Sequence, residues 1–265
     1  MKAYIVKTKE PISIFLEKQG YSTKEIKNLL KYRHIKINHR VETNYHRCLK
    51  EKDQVEIVFS EDFDILYEDS EFLVVNKKAH LLTISTEKEK ENTLYHKVRE
   101  YVNKKHEKLF ILHRLDKETS GIVVFVKNEK LRDLLQKDWN RMVLQREYYA
   151  ICEGIFSLKK KTISVFLKEN KNHFVYVSKT GKKAITSYEV IKEKKNYSLV
   201  RILLSTGRKN QIRVTFAFEY HPILGDEKYG SGKKDRLYLH ASSLSFRHPK
   251  TKKVYTFKAP VPFSL

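Results

Sequence analysis

Hydrophobic residues in the first 60 positions recur at helical spacing and then in short alternating runs. Residues 12–16 place apolar side chains at helical spacing, and Gly20 ends that segment. Ser22 and Glu25 form a capping box, and residues 26–30 continue the second segment with an apolar stripe. Short strands are predicted at 35–37 and 55–59. The pattern therefore predicts a small unit of two helices and a few strands.

From about residue 64 the pattern changes to many apolar runs with few helical segments between them. Runs of strand character occupy residues 65–67, 72–76, 122–126, 147–152, 185–191, 198–204 and 238–246. Helical spacing occurs at residues 93–104 and 131–139. Because strands outnumber helices, the pattern predicts an α+β fold with a mostly antiparallel sheet. We expect a first domain over residues 1–60 and a second over residues 61–265.

The composition indicates a folded protein with a polyanionic partner. The chain has 265 residues, of which 40% are hydrophobic, and this is enough to fill a core. Its net charge is +22, from 54 basic and 32 acidic residues, and residues 1–60 alone hold 13 basic and 7 acidic residues. A folded body this basic favours RNA or DNA as its partner, although solvated lysine faces are a blander source of the same charge.

The spacing of the cysteines and the absence of targeting segments and cofactor motifs disfavour several classes of protein. Cys48 and Cys152 lie far apart, which predicts two reduced thiols and neither a disulfide framework nor a zinc site. The first residues lack the apolar stretch of a signal peptide, and no apolar run reaches the roughly 20 residues that cross a bilayer. Because the sequence has no glycine-rich phosphate loop and no HExxH motif, we expect no cofactor or metal. These features predict a soluble cytoplasmic protein without a membrane partner.

The segment of residues 113–121, His-Arg-Leu-Asp-Lys-Glu-Thr-Ser-Gly, carries the strongest candidate for chemistry. It places Asp116 between the cations Arg114 and Lys117, immediately before the apolar run 122–126. A carboxylate on a loop that is held against a rigid strand is a plausible reaction centre. Because neighbouring arginines lower the pKa of a carboxyl group, we expect Asp116 to be ionised at neutral pH. The alternative is that Asp116 caps a loop or forms a surface salt bridge.

Several segments together resemble the RluA-type pseudouridine synthase family. Residues 113–121 resemble its HRLDxxTSG motif, residues 146–154 its second motif and residues 204–214 its third motif. With residues 76–79 and 221–249 the resemblance extends, in order, over most of the chain beyond residue 64. The sequence departs from the family pattern, which has proline, glycine, histidine and glycine, at Lys78, His80, Asn210 and Tyr220.

The resemblance implies an RNA pseudouridine synthase, an isomerase that detaches uracil from its ribose, turns it and rejoins it through carbon without a cofactor. By the same resemblance Asp116 is the catalytic residue, Tyr148 packs against the flipped base, and Arg213 pairs with Asp116. Arg114 can fill the space that the flipped base leaves, and Arg208 of the third motif is a candidate RNA-binding residue. Three roles for Asp116 remain open, namely attack on the sugar, attack on the base, and removal of a sugar proton.

Residues 1–60 resemble the α-L RNA-binding domain, which occurs in a ribosomal small-subunit protein and in many RluA-type synthases. The second predicted helix carries Lys24, Lys27 and Lys31, which are candidate RNA-binding residues. The resemblance implies RNA as partner, with ribosomal RNA favoured over transfer RNA, and a monomeric protein.

Three alternatives compete with the enzyme. The first is a catalytically inactive RNA-binding or ribosome-assembly protein on the same fold, which the presence of Asp116, Tyr148 and Arg213 together disfavours. The second is a DNA-binding protein, which the charge permits, although no helix-turn-helix or zinc signature is present. The third is a glycosidase, which usually needs two carboxylates, and Glu118 is the only near candidate for the second.

Overall fold

The computed structural model describes residues 2–31, 34–57, 63–103 and 105–265. The chain divides into two compact units, residues 1–61 and residues 62–265. The boundary predicted near residue 60 lies outside the described residues.

The first unit is a small α+β unit with its own core. Its elements are β1 (Lys2–Ile5), β2 (Glu10–Pro11), α1 (Ile12–Lys18), α2 (Thr23–Lys31), β3 (Ile35–Ile37), β4 (Arg40–Glu42), β5 (Cys48–Leu49) and β6 (Gln54–Ile57). The antiparallel sheet has the order β1-β6-β3-β4, and β2 pairs with β5. Buried side chains of both helices and of β3 and β6 form one cluster.

The capping box predicted for α2 is confirmed. Glu25 Oε2 accepts a hydrogen bond from Ser22 N at 2.7 Å, and Glu25 N donates to Ser22 Oγ at 3.4 Å. These bonds satisfy backbone groups that the first helical turn leaves without partners. Ile26, Leu29 and Leu30 of the helix are buried, whereas Lys24 and Lys27 are exposed.

The second unit is dominated by one large sheet. Its elements are β7 (Phe63–Glu68), β8 (Phe72–Lys77), α3 (Leu94–Asn103), β9 (Phe110–Ile111), β10 (Ser120–Val126), α4 (Glu129–Lys137), α5 (Trp139–Met142), β11 (Val143–Glu153), β12 (Lys160–Glu169), β13 (Val175–Ser178), β14 (Lys182–Lys194), β15 (Tyr197–Leu204), α6 (Gln211–Phe218), β16 (Leu239–Arg247) and β17 (Val254–Lys258). The main path has the order β13-β12-β14-β15-β11-β16-β10-β8-β7. Among strand pairs of the described residues, β10 with β16 is parallel and the rest are antiparallel. The predicted α+β class with a mostly antiparallel sheet is confirmed.

Strand β10 lies at the centre of a layered core, because both of its faces are covered. Val123 and Phe125 join a cluster that includes buried side chains of α3, whereas Ile122 and Val124 join a cluster that includes those of α4. Every residue of β10 is buried, which explains its continuous apolar run. Burial of each such aliphatic side chain contributes about 2 kcal/mol, so the strand is a rigid support for the loop that precedes it.

Gly121 allows β10 and β16 to approach closely. Its φ angle is 116°, and a Cβ atom placed there would lie 2.3 Å from the carbonyl oxygen of Ala241, its register partner on β16. A side chain at this position would therefore separate the two strands. The close approach of the two strands thus explains why the 113–121 segment ends in glycine.

One predicted helix needs correction, and other elements of the second unit were not predicted. The helix predicted over 131–139 begins at Glu129, where the Asn128 side chain accepts from Leu131 N, and it ends at Lys137 before the short α5. Helix α6 was not predicted, because its first six residues are all buried and its sequence therefore shows no amphipathic stripe. Strand β12 was also missed, although Ile163, Val165 and Leu167 alternate with more exposed residues along it.

Candidate active site

A cavity of about 400 Å³ lies in the second unit, where the 112–119 segment, β11, the start of α6 and β16 come together. Five of the sequence-predicted site residues line it, namely Arg114, Asp116, Tyr148, Arg208 and Arg213. They come from positions almost 100 residues apart in the chain, so the fold brings them together. Lys24 and Lys27 lie exposed on α2 of the first unit, and the Lys31 side chain lies outside the described residues.

The loop that carries Asp116 is held on both sides of this residue. Thr83 Oγ1 donates to Leu115 O at 2.6 Å and accepts from Leu115 N at 3.2 Å, and Leu115 is buried in the core. Thr119 N donates to Asp116 O at 3.2 Å, which closes a turn before β10. The side chain of Asp116 is 36% exposed. The carboxylate is therefore fixed in place and still accessible from the cavity.

Arg213 is fixed by a second aspartate. Its Nε and Nη2 atoms donate to Asp226 Oδ2 and Oδ1 at 2.7 and 2.6 Å, and the Asp226 side chain is fully buried. The remaining nitrogen, Nη1, lies 3.9 Å from Asp116 Oδ2. Such two-point pairing sets the plane of a guanidinium group. Arg213 therefore contacts Asp116 as expected, but its direct hydrogen bonds go to Asp226.

Asp226 was not identified from the sequence, although the segment that contains it belongs to the family pattern. Asn210, which stands where the family has histidine, donates through Nδ2 to Tyr229 Oη at 3.1 Å. The Tyr229 ring in turn lies 5.3 Å from the Arg213 guanidinium carbon. Asn210 thus forms a hydrogen bond beside the Arg213–Asp226 pair.

Burial raises the pKa of Asp116, and the nearby cations Arg213, Arg114, Lys228 and Lys77 lower it less than burial raises it. The arginines therefore lower the pKa of this carboxyl group as expected, but burial outweighs them and the net shift is upward. The physical reason is that Leu115 and the buried core behind it exclude water from one side of the carboxylate. The anion is consequently less stable, and more reactive, than an aspartate in water.

Tyr148 lies on β11 beside a register irregularity between β11 and β16. Burial raises the pKa of its phenol to about 12, and the charge of Asp116 acts in the same direction against the opposing effect of Arg146. The phenol is therefore protonated at neutral pH, as a donor and not as a base. Its ring packs against two of the hydrophobic clusters, so it presents a fixed aromatic surface to the cavity.

Lys77, which had no predicted role, connects the segment of residues 78–81 to the loop that carries Asp116. Its ammonium group is fully buried and donates to the carbonyl oxygens of Lys78, Leu81 and Lys117 at 2.9, 2.7 and 3.0 Å. Burial lowers the pKa of Lys77 to about 7, while the carboxylates of Glu118 and Asp116 favour its charged form. The bond to Lys117 O ties the residue after Asp116 to the end of β8.

Replacing Lys77 by methionine is expected to lower the free energy of unfolding by about 2 kcal/mol or more, because three carbonyls lose their donor. The loss should grow from about pH 7 to pH 10, because the folded protein then holds a neutral Lys77 while the unfolded chain stays protonated. Urea unfolding at several pH values, with the exposed Lys130→Met as control, measures this. Equal pH dependence in the two variants would contradict it.

Within the residues that the structure describes, no group of three or more His, Cys, Asp and Glu side chains is placed to hold a metal ion. None of the helices seen in the described ranges is both long and apolar enough to span a membrane. Cys48 is an exposed free thiol and Cys152 a buried one, whose pKa is raised by burial.

Comparison with known proteins gives a consistent family. The RNA pseudouridylate synthase family profile matches residues 71–218. An uncharacterised RNA pseudouridine synthase of Bacillus subtilis is 34% identical over 89% of this chain and 84% of its own length. Ribosomal large subunit pseudouridine synthase D of Blochmanniella floridana is 29% identical over 91% of this chain and 87% of its own length. tRNA pseudouridine synthase C of Haemophilus ducreyi is 31% identical over 75% of this chain and 90% of its own length.

Solved structures agree with this result. The structure of human RNA pseudouridylate synthase domain containing 1 superposes with a TM-score of 0.66 and 25% identity, over 77% of this chain and 85% of that one. The family profile itself spans the cavity-lining residues from Leu112 to Arg213. The chain therefore belongs to the RluA-type family of RNA pseudouridine synthases.

Proposed function

We propose that this protein converts one uridine of a structured RNA to pseudouridine, with Asp116 as the reactive group and with the uridine turned out of its stack. The observation that supports this proposal most is the accessible carboxylate of Asp116 on the cavity wall, within 3.9 Å of a guanidinium that a second aspartate orients. The cavity volume of about 400 Å³ is in the range of small-ligand sites, so it can accept one nucleotide.

The reaction breaks the bond between uracil N1 and the sugar C1′ and forms one between C5 and C1′, while C5 loses a proton and N1 ends protonated. An ionised Asp116 can begin this sequence by attack on the sugar, by attack on the base or by removal of a sugar proton. Arg213 holds positive charge beside the carboxylate throughout, because Asp226 fixes its orientation. Tyr148 stacks on the uracil, and its raised pKa argues against a role as the first proton acceptor.

Base flipping leaves a gap in the RNA, and Arg114 is the candidate to fill it. Arg114 is exposed at the cavity and lies two residues before Asp116, so its guanidinium plane can stack on the neighbouring bases. We expect Arg114→Ala to lower turnover on a structured RNA about 10-fold more than on an unpaired target. The reason is that removal of the target base from its stack costs a few kcal/mol only when the base is stacked in a folded RNA. Single-turnover rates on a stem and on its unfolded sequence measure this, and equal losses on both would contradict it.

We further propose that the first unit is an α-L RNA-binding domain, that the protein acts as a monomer, and that ribosomal RNA is preferred over transfer RNA. The exposed lysines Lys24 and Lys27 on α2 and the excess of basic residues over residues 1–60 support RNA binding. Relatives named for ribosomal RNA and for tRNA both occur, so the first unit supplies the argument for ribosomal RNA.

Incubation of the purified protein with rRNA and with tRNA fractions from cells that lack its gene tests the substrate class. Pseudouridine should appear at one position of an rRNA. Conversion in the tRNA fraction alone would overturn the rRNA preference, and binding without conversion in either fraction would favour the catalytically inactive RNA-binding alternative.

A further inference from the structure

Arg146 is a buried cation on the cavity wall. It lies on β11 two residues before Tyr148, and both side chains line the same cavity. It is 9% exposed, and its Nη2 atom donates to Asn140 Oδ1 at 3.1 Å. Both residues line the cavity that holds Asp116. Arg146 is therefore part of the wall of the candidate active site.

Arg146 is a buried arginine without a carboxylate partner among the residues that the structure describes. In the described part of the chain no acidic oxygen lies within 4.0 Å of its guanidinium, whereas Arg213 pairs with Asp226 and Arg201 with Glu147. The guanidinium of Arg146 donates a hydrogen bond to the neutral side chain of Asn140. Buried charges in proteins are normally paired, because an unpaired one is costly to remove from water. The site therefore favours an anion that arrives from outside.

A glycine and a second arginine lie beside the guanidinium. A Cβ atom placed at Gly207 would lie 3.7 Å from the Cζ and Nε atoms of Arg146, which is already van der Waals contact. A larger side chain there would cover this face of the guanidinium. Arg208 follows in sequence, lines the same cavity and donates through Nε to Lys183 O at 3.1 Å, with no acidic partner among the described residues. Burial and the like charge of Arg208 both lower the pKa of Arg146, so an anion between them would relieve repulsion.

We propose that Arg146, with Arg208 beside it, binds a backbone phosphodiester of the RNA next to the uridine that enters the cavity. The inference rests on the proposed function, because it takes RNA as the source of the anion. A guanidinium matches a phosphate through two parallel N–H···O bonds, and such contacts fix the register of a nucleic acid without reading its sequence. Arg146 thus positions the nucleotide, while Asp116 acts on it.

The first test measures binding and needs no chemistry. The affinity for a short oligouridine is measured at increasing salt for the wild-type protein, Arg146→Gln and Arg201→Gln, all with melting temperatures recorded. Arg146→Gln should reduce the slope of log affinity against log salt by about one, because one phosphate contact is lost. Arg201→Gln is the matched control, since its guanidinium is already paired on the sheet, and its slope should not change. Arg146→Lys should keep the slope and bind more weakly, because it keeps the charge and loses the two-point geometry.

The second test locates the phosphate. Single uncharged methylphosphonate linkages are placed on each side of the target uridine in a substrate stem-loop, and kcat/KM is measured for the wild type and Arg146→Gln. One linkage should lower the wild-type value about 10-fold or more, and the variant should lose no further activity at that linkage. Additive losses at every linkage, or an unchanged salt slope, would overturn the inference. Inorganic phosphate could instead compete with the RNA in a way that depends on Arg146, while no single methylphosphonate linkage has an effect that depends on Arg146. That result would assign the site to free phosphate and would also overturn the inference.

The two proposals fail in different ways. If the wild-type protein forms no pseudouridine but its binding shows the Arg146-dependent slope, the proposed function is wrong and the phosphate contact stands. If conversion is normal and neither the slope nor the linkage effect depends on Arg146, the phosphate inference alone is wrong.

Discussion

Replacement of Asp116 by asparagine is expected to lower the rate of pseudouridine formation by at least about 10⁴-fold, because an amide can neither attack as an anion nor accept a proton. Single-turnover assays that follow loss of the uracil C5 hydrogen measure this rate directly. Glu118→Gln is the matched control, because Glu118 is the next carboxylate along the loop and its carboxylate contacts the His80 ring. It should stay within about 10-fold of the wild type. A large loss there would revive a two-carboxylate mechanism.

The same substitution should not lower the melting temperature. The pKa of Asp116 is raised in the folded protein, so the carboxyl group releases its proton less readily when folded than when unfolded. Its contribution to stability is therefore lost as pH rises from its unfolded pKa through its folded pKa, and at neutral pH the anion destabilises the fold. Asparagine removes this charge and keeps the shape. We expect Asp116→Asn to melt at or above the wild-type temperature at neutral pH, and a clear decrease would show that the carboxylate stabilises the loop.

Separation of Arg213 from Asp226 is expected to have the second largest effect. Asp226→Ala leaves a buried guanidinium without its partner, and breaking such a pair costs about 3–5 kcal/mol of stability. The catalytic rate should fall about 10²-fold or more in the protein that remains folded, because Arg213 no longer holds a fixed position beside Asp116. Single-turnover kinetics and urea unfolding of Asp226→Ala, Arg213→Gln and the double variant measure both quantities. Additive rate losses would contradict the account.

The pH profile separates positioning from simple loss of stability. Arg213 lowers the pKa of Asp116, so its removal should move the acidic limb of the kcat/KM profile to higher pH. The shift follows from the sign of the interaction, since the carboxylate must be ionised to react. An unchanged acidic limb in Arg213→Gln would show that Arg213 acts only on the fold.

Much of the second unit could be predicted because its elements obey local rules. The apolar run of residues 122–126 is buried on both faces, and the segment with Asp116 precedes it directly in sequence. Helix α6 was missed because burial on all sides removes the helical pattern from its sequence. Local patterns therefore located the loop that carries the reactive group, but not the helix that supplies Arg213.

Interactions between distant residues could not be read from the sequence. Lys77 and Lys117 O are 40 positions apart, and Arg213 and Asp226 are 13 apart, so neither contact follows from local spacing. The pKa of Asp116 was expected to fall because its neighbours in sequence are cations. It rises because burial in the folded protein outweighs the effect of those cations, and composition and spacing do not reveal this burial.

The most direct test of the account is pseudouridine mapping of total RNA from three strains, which have the wild-type gene, no gene, or a gene with Asp116→Asn. The account predicts one uridine position that is modified in the first strain and unmodified in the other two. The asparagine protein must accumulate to the wild-type level for the comparison. A position that stays modified in the Asp116→Asn strain and loses its modification only in the deletion strain would contradict the assignment of Asp116 as the reactive group.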